Sequence, residues 1–258
     1  NWTSVNIGLT NTNVTCIVVN GSNIFVGTYG GGVFLSSNNG ASWNSVNNGL
    51  NSSTINSLAI SGSNIYAATS SAGVFLSINN GSSWTAINTG LPTATTTCLA
   101  INGSNILVGT PLGVYLSTNN GSSWSAAGLL DRIVYSFAVL GNTILAGTNV
   151  EGVFLSSNNG GSWNVMNNGI VNSRISSIVV SGNNILAGTA QNGMYISSNN
   201  GNTWSQINIG LTNTYVSSLA IDGNNIYAGT LDGVFLSTNL GSSWTAANSG
   251  DRKSTRLN

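Results

Sequence analysis

The sequence is almost without charge. Only 4% of its 258 residues are Asp, Glu, Lys or Arg, and histidine is absent. Up to residue 250 the charged residues are Arg132 and Arg174 against Asp131, Glu151, Asp222 and Asp232, with no lysine. A nucleic-acid partner requires clustered cations to neutralise its phosphates, so none is expected. Lack of histidine removes Ser-His-Asp and Cys-His machinery and leaves metal ligation unsupported, so neither metal nor cofactor is expected. No apolar run approaches the roughly 18 residues of a membrane helix, so membrane insertion is not expected either. Cysteine is scarce: Cys16 and Cys98 hold the same place in two non-adjacent repeats, where the others carry Ser57, Ser136, Ser177 and Ser218. That pattern reads as small buried side chains, since a disulfide would need the two Cα atoms within about 7 Å.

What the chain does have is repetition. Seven tryptophans (Trp2, Trp43, Trp84, Trp124, Trp163, Trp204 and Trp244) recur at intervals of 39 to 41 residues. A period near 40 over the whole length means one supersecondary unit copied end to end. In the first full copy four short runs, Val14–Val19, Ile24–Thr28, Val33–Ser36 and Ser42–Val46, are separated by Asn/Gly turns. Such turns tolerate the positive φ that tight hairpins require, so each copy reads as a four-stranded antiparallel meander without helix. The third run returns as Val74-Phe75-Leu76, Val114-Tyr115-Leu116, Val153-Phe154-Leu155, Met194-Tyr195-Ile196 and Val234-Phe235-Leu236. Consecutive apolar positions mean that both sheet faces are covered, as they are when blades stack on their neighbours in a β-propeller.

The second hairpin is a signature. Ser36-Ser37-Asn38-Asn39-Gly40-Ala41-Ser42-Trp43 returns at 77–84, 117–124, 156–163, 197–204 and 237–244. It resembles the Asp-box or BNR repeat, Ser-x-Asp-x-Gly-x-Thr-Trp, of sialidase-like, sortilin-like and photosystem-assembly-factor-like propellers and of many secreted bacterial proteins. The resemblance implies that the box is the hairpin between the third and fourth strands of a blade. The Asp position is Asn in every copy: Asn38, Asn79, Asn119, Asn158, Asn199 and Asn239. Asn still accepts hydrogen bonds from turn amides, so the boxes and their Trp residues are read as structural.

Propeller repeats are expected over residues 1–250. Trp2–Val5 reads as a fourth strand without its first three, which gives six full blades plus one extra outer strand and suggests a seven-bladed parent. Residues 251–258 break the repeat and match the translation of GAT CGG AAG AGC ACA CGT CTG AAC, which looks like sequencing-adapter read-through; this tail is expected to be non-native. With an opening in mid-repeat, it suggests a translated, metagenomic-type fragment whose missing targeting signals carry no weight.

In such a propeller the loops between second and third strands share a face with the connections between blades. Asp131, Arg132, Glu151 and Arg174 map to that face around blade four, and Asp232 to the same face of blade six. The connection 126–134 there is irregular, Ala-Ala-Gly-Leu-Leu-Asp-Arg-Ile-Val. One reading is a solvated charge patch of small energetic value; the other is a binding site. Tyr29, Tyr135 and Tyr215 lie in or near loops of this face, where flat rings suit sugars, whereas Tyr66, Tyr115, Tyr195 and Tyr227 read as core. The expected function is a non-catalytic interaction module, extracellular or at a bacterial cell surface by composition and resemblance, with an unknown protein or glycan as partner. The alternative is a carbohydrate-active enzyme using Asp131 and Glu151, since glycoside hydrolysis needs two acids about 5–9 Å apart. A sialidase-like activity would want three arginines on its substrate carboxylate, and only two precede residue 250.

Overall fold

The structure, a computed structural model, describes residues 1–171 and 173–250. It is all-β, with no helix among the described residues. Blade one consists of β1 (Val14–Asn20), β2 (Asn23–Thr28), β3 (Gly32–Ser36) and β4 (Asn44–Ser45). Blade two is β5 (Ile55–Ser61), β6 (Asn64–Thr69), β7 (Val74–Ser77) and β8 (Thr85–Ala86), and blade three β9 (Cys98–Asn102), β10 (Asn105–Thr110), β11 (Gly113–Ser117) and β12 (Ser125–Ala126). Blade four is β13 (Val134–Leu140), β14 (Thr143–Thr148), β15 (Val153–Ser156) and β16 (Asn164–Val165). Blade five is β17 (Ile175–Ser181), β18 (Asn184–Thr189), β19 (Met194–Ser197) and β20 (Ser205–Gln206), and blade six β21 (Val216–Asp222), β22 (Asn225–Thr230), β23 (Gly233–Ser237) and β24 (Thr245–Ala246). Each blade is a four-stranded meander paired in sequence order, so the six-bladed propeller expected from the repeat is the fold observed. No helix is long and apolar enough to cross a membrane.

Two compact units divide the chain. The first holds Val5–Val134 together with Ser157–Ser162; the second holds Asn1–Ser4, Tyr135–Ser156 and the chain from Trp163 onward. Blade-on-blade packing is visible within each. In the first unit Phe25 and Val33 of blade one pack with Ile55, Leu58 and Phe75 of blade two. In the second, Leu186 and Met194 of blade five pack with Val216, Ile226 and Phe235 of blade six. Their strand neighbours Ile185 and Ala187 point the other way, into the cluster with Leu145 and Val153 of blade four. The two-residue side-chain period of a strand therefore explains why consecutive positions are apolar: each serves a different seam.

The tryptophan hairpin locks successive blades. Asn38 Oδ1 accepts from the Ser42 amide at 2.9 Å and from the Ser36 hydroxyl at 2.8 Å. The Asn38 amide in turn donates to Ser42 Oγ at 2.9 Å. Asn39, at φ 57°, adopts the left-handed turn conformation that Asn tolerates. The turn aims the indole backward: Trp84 Nε1 donates to Val46 O at 2.8 Å and its backbone amide to Asn48 O at 2.9 Å. Gly49, at φ 88°, follows that carbonyl because a Cβ there would collide with the Trp84 carbonyl oxygen. Asn47, in the same connection, accepts from the Val33 amide at 2.7 Å and donates to Gly31 O at 2.9 Å, so it braces the loop between β2 and β3.

Two expectations are corrected. Trp2–Val5 forms no strand, because a fourth strand must pair with the third strand of its own blade, and no sheet of the six offers that edge. Trp2 nevertheless docks on blade six as Trp84 docks on blade one and Trp244 on blade five, with Nε1 donating to Ala247 O at 2.5 Å and the amide to Ser249 O at 2.8 Å. The fourth run is also shorter than Ser42–Val46, since only Asn44–Ser45 pairs. The expected non-native tail, 251–258, lies outside the described residues.

Candidate functional site

The loops between second and third strands do meet the connections between blades. Gly32 donates to Ser53 O at 2.7 Å, Gly73 to Ala94 O at 2.6 Å and Ala190 to Arg174 O at 3.0 Å. The first residues of each blade are thereby presented on this face.

Arg174 is the organising residue. It immediately precedes β17, in the connection between blades four and five. At the position after the strand's first residue, other blades carry a short side chain that reaches forward: the hydroxyls of Thr15 and Ser176 donate to Ile55 O and Val216 O. Blade four carries Tyr135 there. Its ring lies under the Arg174 guanidinium, with Cζ 5.0 Å from the ring centroid. Tyr215, just before β21, also offers its ring at 5.8 Å and its hydroxyl, which accepts from Arg174 Nη2 at 2.7 Å. Contacts of this cation–π kind contribute about 0.5–2 kcal/mol each and hold the planar group in one orientation.

Beside this stack lies a cleft of about 490 Å³. Asn149 and Val150 line it from the loop between β14 and β15, Ser173 and Arg174 from the connection before blade five, Ala190 and Gln191 from the loop between β18 and β19, and Tyr215 from the next connection. Two polar atoms of its lining residues, Arg174 Nε and Ser173 Oγ, are enclosed by the protein without a hydrogen-bond partner. Ser173 itself is only 4% exposed. Among the described residues, none that lines the cleft is acidic.

The remaining sequence candidates fall elsewhere. Asp131 and Arg132 belong to the first unit, and Glu151, Arg174, Tyr215 and Asp232 to the second. Asp131 is exposed at φ 61°, next but one to Leu129 at φ 49°. The irregular 126–134 connection thus has a backbone cause: it lacks the bracing Asn, and the Val114 amide donates to Gly128 O at 3.0 Å instead. Asp is among the few residue types that adopt positive φ readily, so Asp131 suits its turn. Arg132 Nη1 donates to Leu130 O at 3.3 Å. Glu151 is exposed, and its amide donates to Thr148 Oγ1 at 3.1 Å. Asp232 is exposed on its loop, with its amide on Thr230 Oγ1. Tyr29 is 64% exposed and bridges to Thr54, within the first unit. Tyr66 and Tyr195 are buried in the core, while Tyr115 and Tyr227 are half-buried. Sequence reasoning missed Ser173, Asn149 and Gln191, which are ordinary polar loop residues in a chain full of them. Tyr135 carried a legible signal, being the one aromatic at a position otherwise held by Thr, Ser or Asn.

The family described as a DUF6242 beta propeller domain matches residues 1–107. No curated protein matches the chain. Among solved structures the chain is similar to the GH74 xyloglucanase from Xanthomonas campestris, with 15% identity, a TM-score of 0.75, and 95% of this chain against 47% of that one covered. It is similar to the extracellular domain of BT4673 from B. thetaiotaomicron, with 20% identity, a TM-score of 0.69 and coverage of 87% and 32%. It is also similar to YCF48 bound to D1 peptide, with 13% identity, a TM-score of 0.71 and coverage of 91% and 83%. The chain therefore spans less than half of the xyloglucanase and a third of the BT4673 domain. At these identities the likeness is one of fold, and it places the chain among β-propellers.

Proposed function

We propose that this chain is a non-catalytic binding module that works outside the cell and docks a glycan or protein on the face carrying the inter-blade connections. The observation that supports this reading is the Arg174 cleft, which gathers polar loop residues of three adjacent segments and two tyrosines beside an arginine on that face. The cleft volume lies within the roughly 300–1,000 Å³ typical of ligand sites. A charge-poor surface rich in Asn, Ser and Thr suits an extracellular setting, and the BT4673 propeller is itself an extracellular domain. The hairpins resembling Asp-boxes serve as blade locks in this reading and take no part in binding.

A second reading is favoured by the likeness to GH74 enzymes: Asp131 and Glu151 would be the acid pair of a glycoside hydrolase. One screen separates the two. The chain and its Glu151→Gln variant are incubated with a panel of polysaccharides, and both released reducing sugar and retention on the immobilised polymers are measured. Retention without release, unchanged in the variant, is the expected result. Release of sugar that disappears in Glu151→Gln would overturn the binding-module reading.

A further inference from the structure

We propose that blade one carries a docking seat for a separate β-meander, the first three strands of one more repeat of this kind, on the stripe formed by Val14, Ile17 and Val19 and beside Asn6. The Arg174 cleft takes no part in it, so the inference stands independently of the binding-module reading.

Repetition says what belongs on that stripe. In each seam the first strand of a blade turns one row of side chains back onto the blade before it. Ile55 and Leu58 of β5 pack against Phe25 and Val33 of blade one, and Val216 of β21 packs against Leu186 and Met194 of blade five. A register shift early in the strand, between Ile55 and Ser57, brings Ile55 and Leu58 to the same face. β1 has the same shift between Val14 and Cys16, so Val14, Ile17 and Val19 form the equivalent row. Ile55 is fully buried and Leu58 nearly so, whereas Val14 is 44%, Ile17 61% and Val19 62% exposed. Three aliphatic side chains in one exposed row mark a contact surface, and its counterpart elsewhere in the chain is a second and a third strand.

The connection leading into blade one carries the second observation. Trp43 Nε1 donates to Val5 O at 2.7 Å and its amide to Ile7 O at 2.8 Å, as Trp84 does to Val46 and Asn48. Leu9 packs with Val26 and Phe34, as Leu50 packs with the cluster of blade two. Val5–Leu9 therefore has the geometry of a connection that leaves a preceding blade. In such connections Asn47, Asn88, Asn167, Asn208 and Asn248 accept from the amide that opens the third strand of their own blade. Each also donates to a carbonyl of the loop before that strand. Asn6 holds this position, is exposed, and its side chain has no hydrogen-bond partner among the described residues. An amide preset to brace a loop and a third strand, beside an aliphatic row preset to meet a second and third strand, specifies one occupant. A docked helix would cover the aliphatic row but has no free backbone amide to offer Asn6 along its length. The six meanders of the chain are each engaged in their own sheet, so the occupant is a seventh, supplied as a separate polypeptide.

A fluorescently labelled peptide spanning Tyr215–Ser237, which reproduces three strands of blade six, is the probe, with binding to the full chain read by anisotropy. A control peptide carries Tyr227→Ser and Val234→Ser, the register equivalents of Phe25 and Val33. Expected are binding of the first peptide and none of the control. Ile17→Ser should weaken binding about ten-fold or more, the equivalent of one buried aliphatic side chain. Asn6→Ala should lose several-fold with an unchanged melting temperature, whereas Asn47→Ala, which unbraces its own blade, lowers that temperature. Absence of peptide binding, or binding that survives both Ile17→Ser and Asn6→Ala, overturns the seat. Concentration-dependent self-association in sedimentation that disappears in Ile17→Ser would assign the row to a second copy of the chain and overturn the meander as its occupant.

Discussion

At the residue scale, the two cysteines show how tightly the repeat constrains a single side chain. Cys98 is buried, and burial pushes its thiol up to about 12 from an ordinary value near 9. A Cβ at Gly109 would meet its Sγ at 2.6 Å, which is why the facing position in β10 is glycine. Cys16 is raised in the same direction, also by desolvation. A folded-state value above the unfolded one means that the thiol contribution is complete below about pH 9 and is lost as pH climbs toward 12. Cys98→Ser, which installs the residue found at Ser136 and Ser218, should therefore fold. Across pH 9 to 11 it should lose less stability than the parent chain, by up to about 1.4 kcal/mol per pH unit. Urea melts at several pH values check this; parallel decline of the two proteins would refute it. Position, burial and the Ser alternatives were legible in the sequence, because repetition aligns them. The raised thiol was not, since it depends on how completely the neighbouring strands exclude water.

At the scale of the element, the tryptophan hairpin tells which features of its side chain matter. Asn119 Oδ1 accepts from the Ser123 amide at 2.9 Å and from the Ser117 hydroxyl at 2.8 Å, and its amide donates to Ser123 Oγ at 2.9 Å. Asp would keep both accepting roles, and the Ser123 hydroxyl can turn to donate. Asn119→Asp should hold stability within about 1 kcal/mol, whereas Asn119→Ala, which removes all three bonds, should cost about 1–3 kcal/mol. Thermal denaturation of the two variants distinguishes a structural hairpin from one that depends on the amide. The sequence predicted this hairpin to the residue because Asn, Gly and Ser act locally, within four positions. It did not reveal the bracing role of Asn47 and its equivalents. Those bonds reach from the connection back to the loop of the same blade, 14 to 16 residues earlier.

At the scale of the whole molecule, stability is a matter of seams between blades, and the same position has different worth in different blades. Leu58 in β5 is 6% exposed and sits against Phe25 and Val33, while Ile17, its register equivalent in β1, is 61% exposed. Leu58→Ala should cost about 2–5 kcal/mol, the usual range for a packed aliphatic side chain. Ile17→Ala should stay within about 0.5 kcal/mol, as exposed positions do. Chemical denaturation of the pair measures the difference, and equal losses would mean that the face of β1 is covered in solution.

By itself the sequence determined the four-stranded blade as the unit, the order of strands within it and the hairpin geometry, whereas it left the blade count between six and a seven-bladed parent. Each of these follows from short-range rules of alternation and turn chemistry, applied over and over along one period. It also placed Arg174, Tyr135 and Tyr215 on the connection-bearing face, because rare residue types stand out against so uniform a background. Only the tertiary structure decided that Tyr135 and Tyr215 both contact Arg174 and that Asp131 occupies a positive-φ turn of its own connection. The structure alone also joined Ser173, Asn149 and Gln191 into a single cleft. The physical reason is distance along the chain: Arg174 and Tyr215 lie one whole repeat apart, 41 residues. Nothing local to either carries the information that blade packing will bring a guanidinium and a phenol within 2.7 Å.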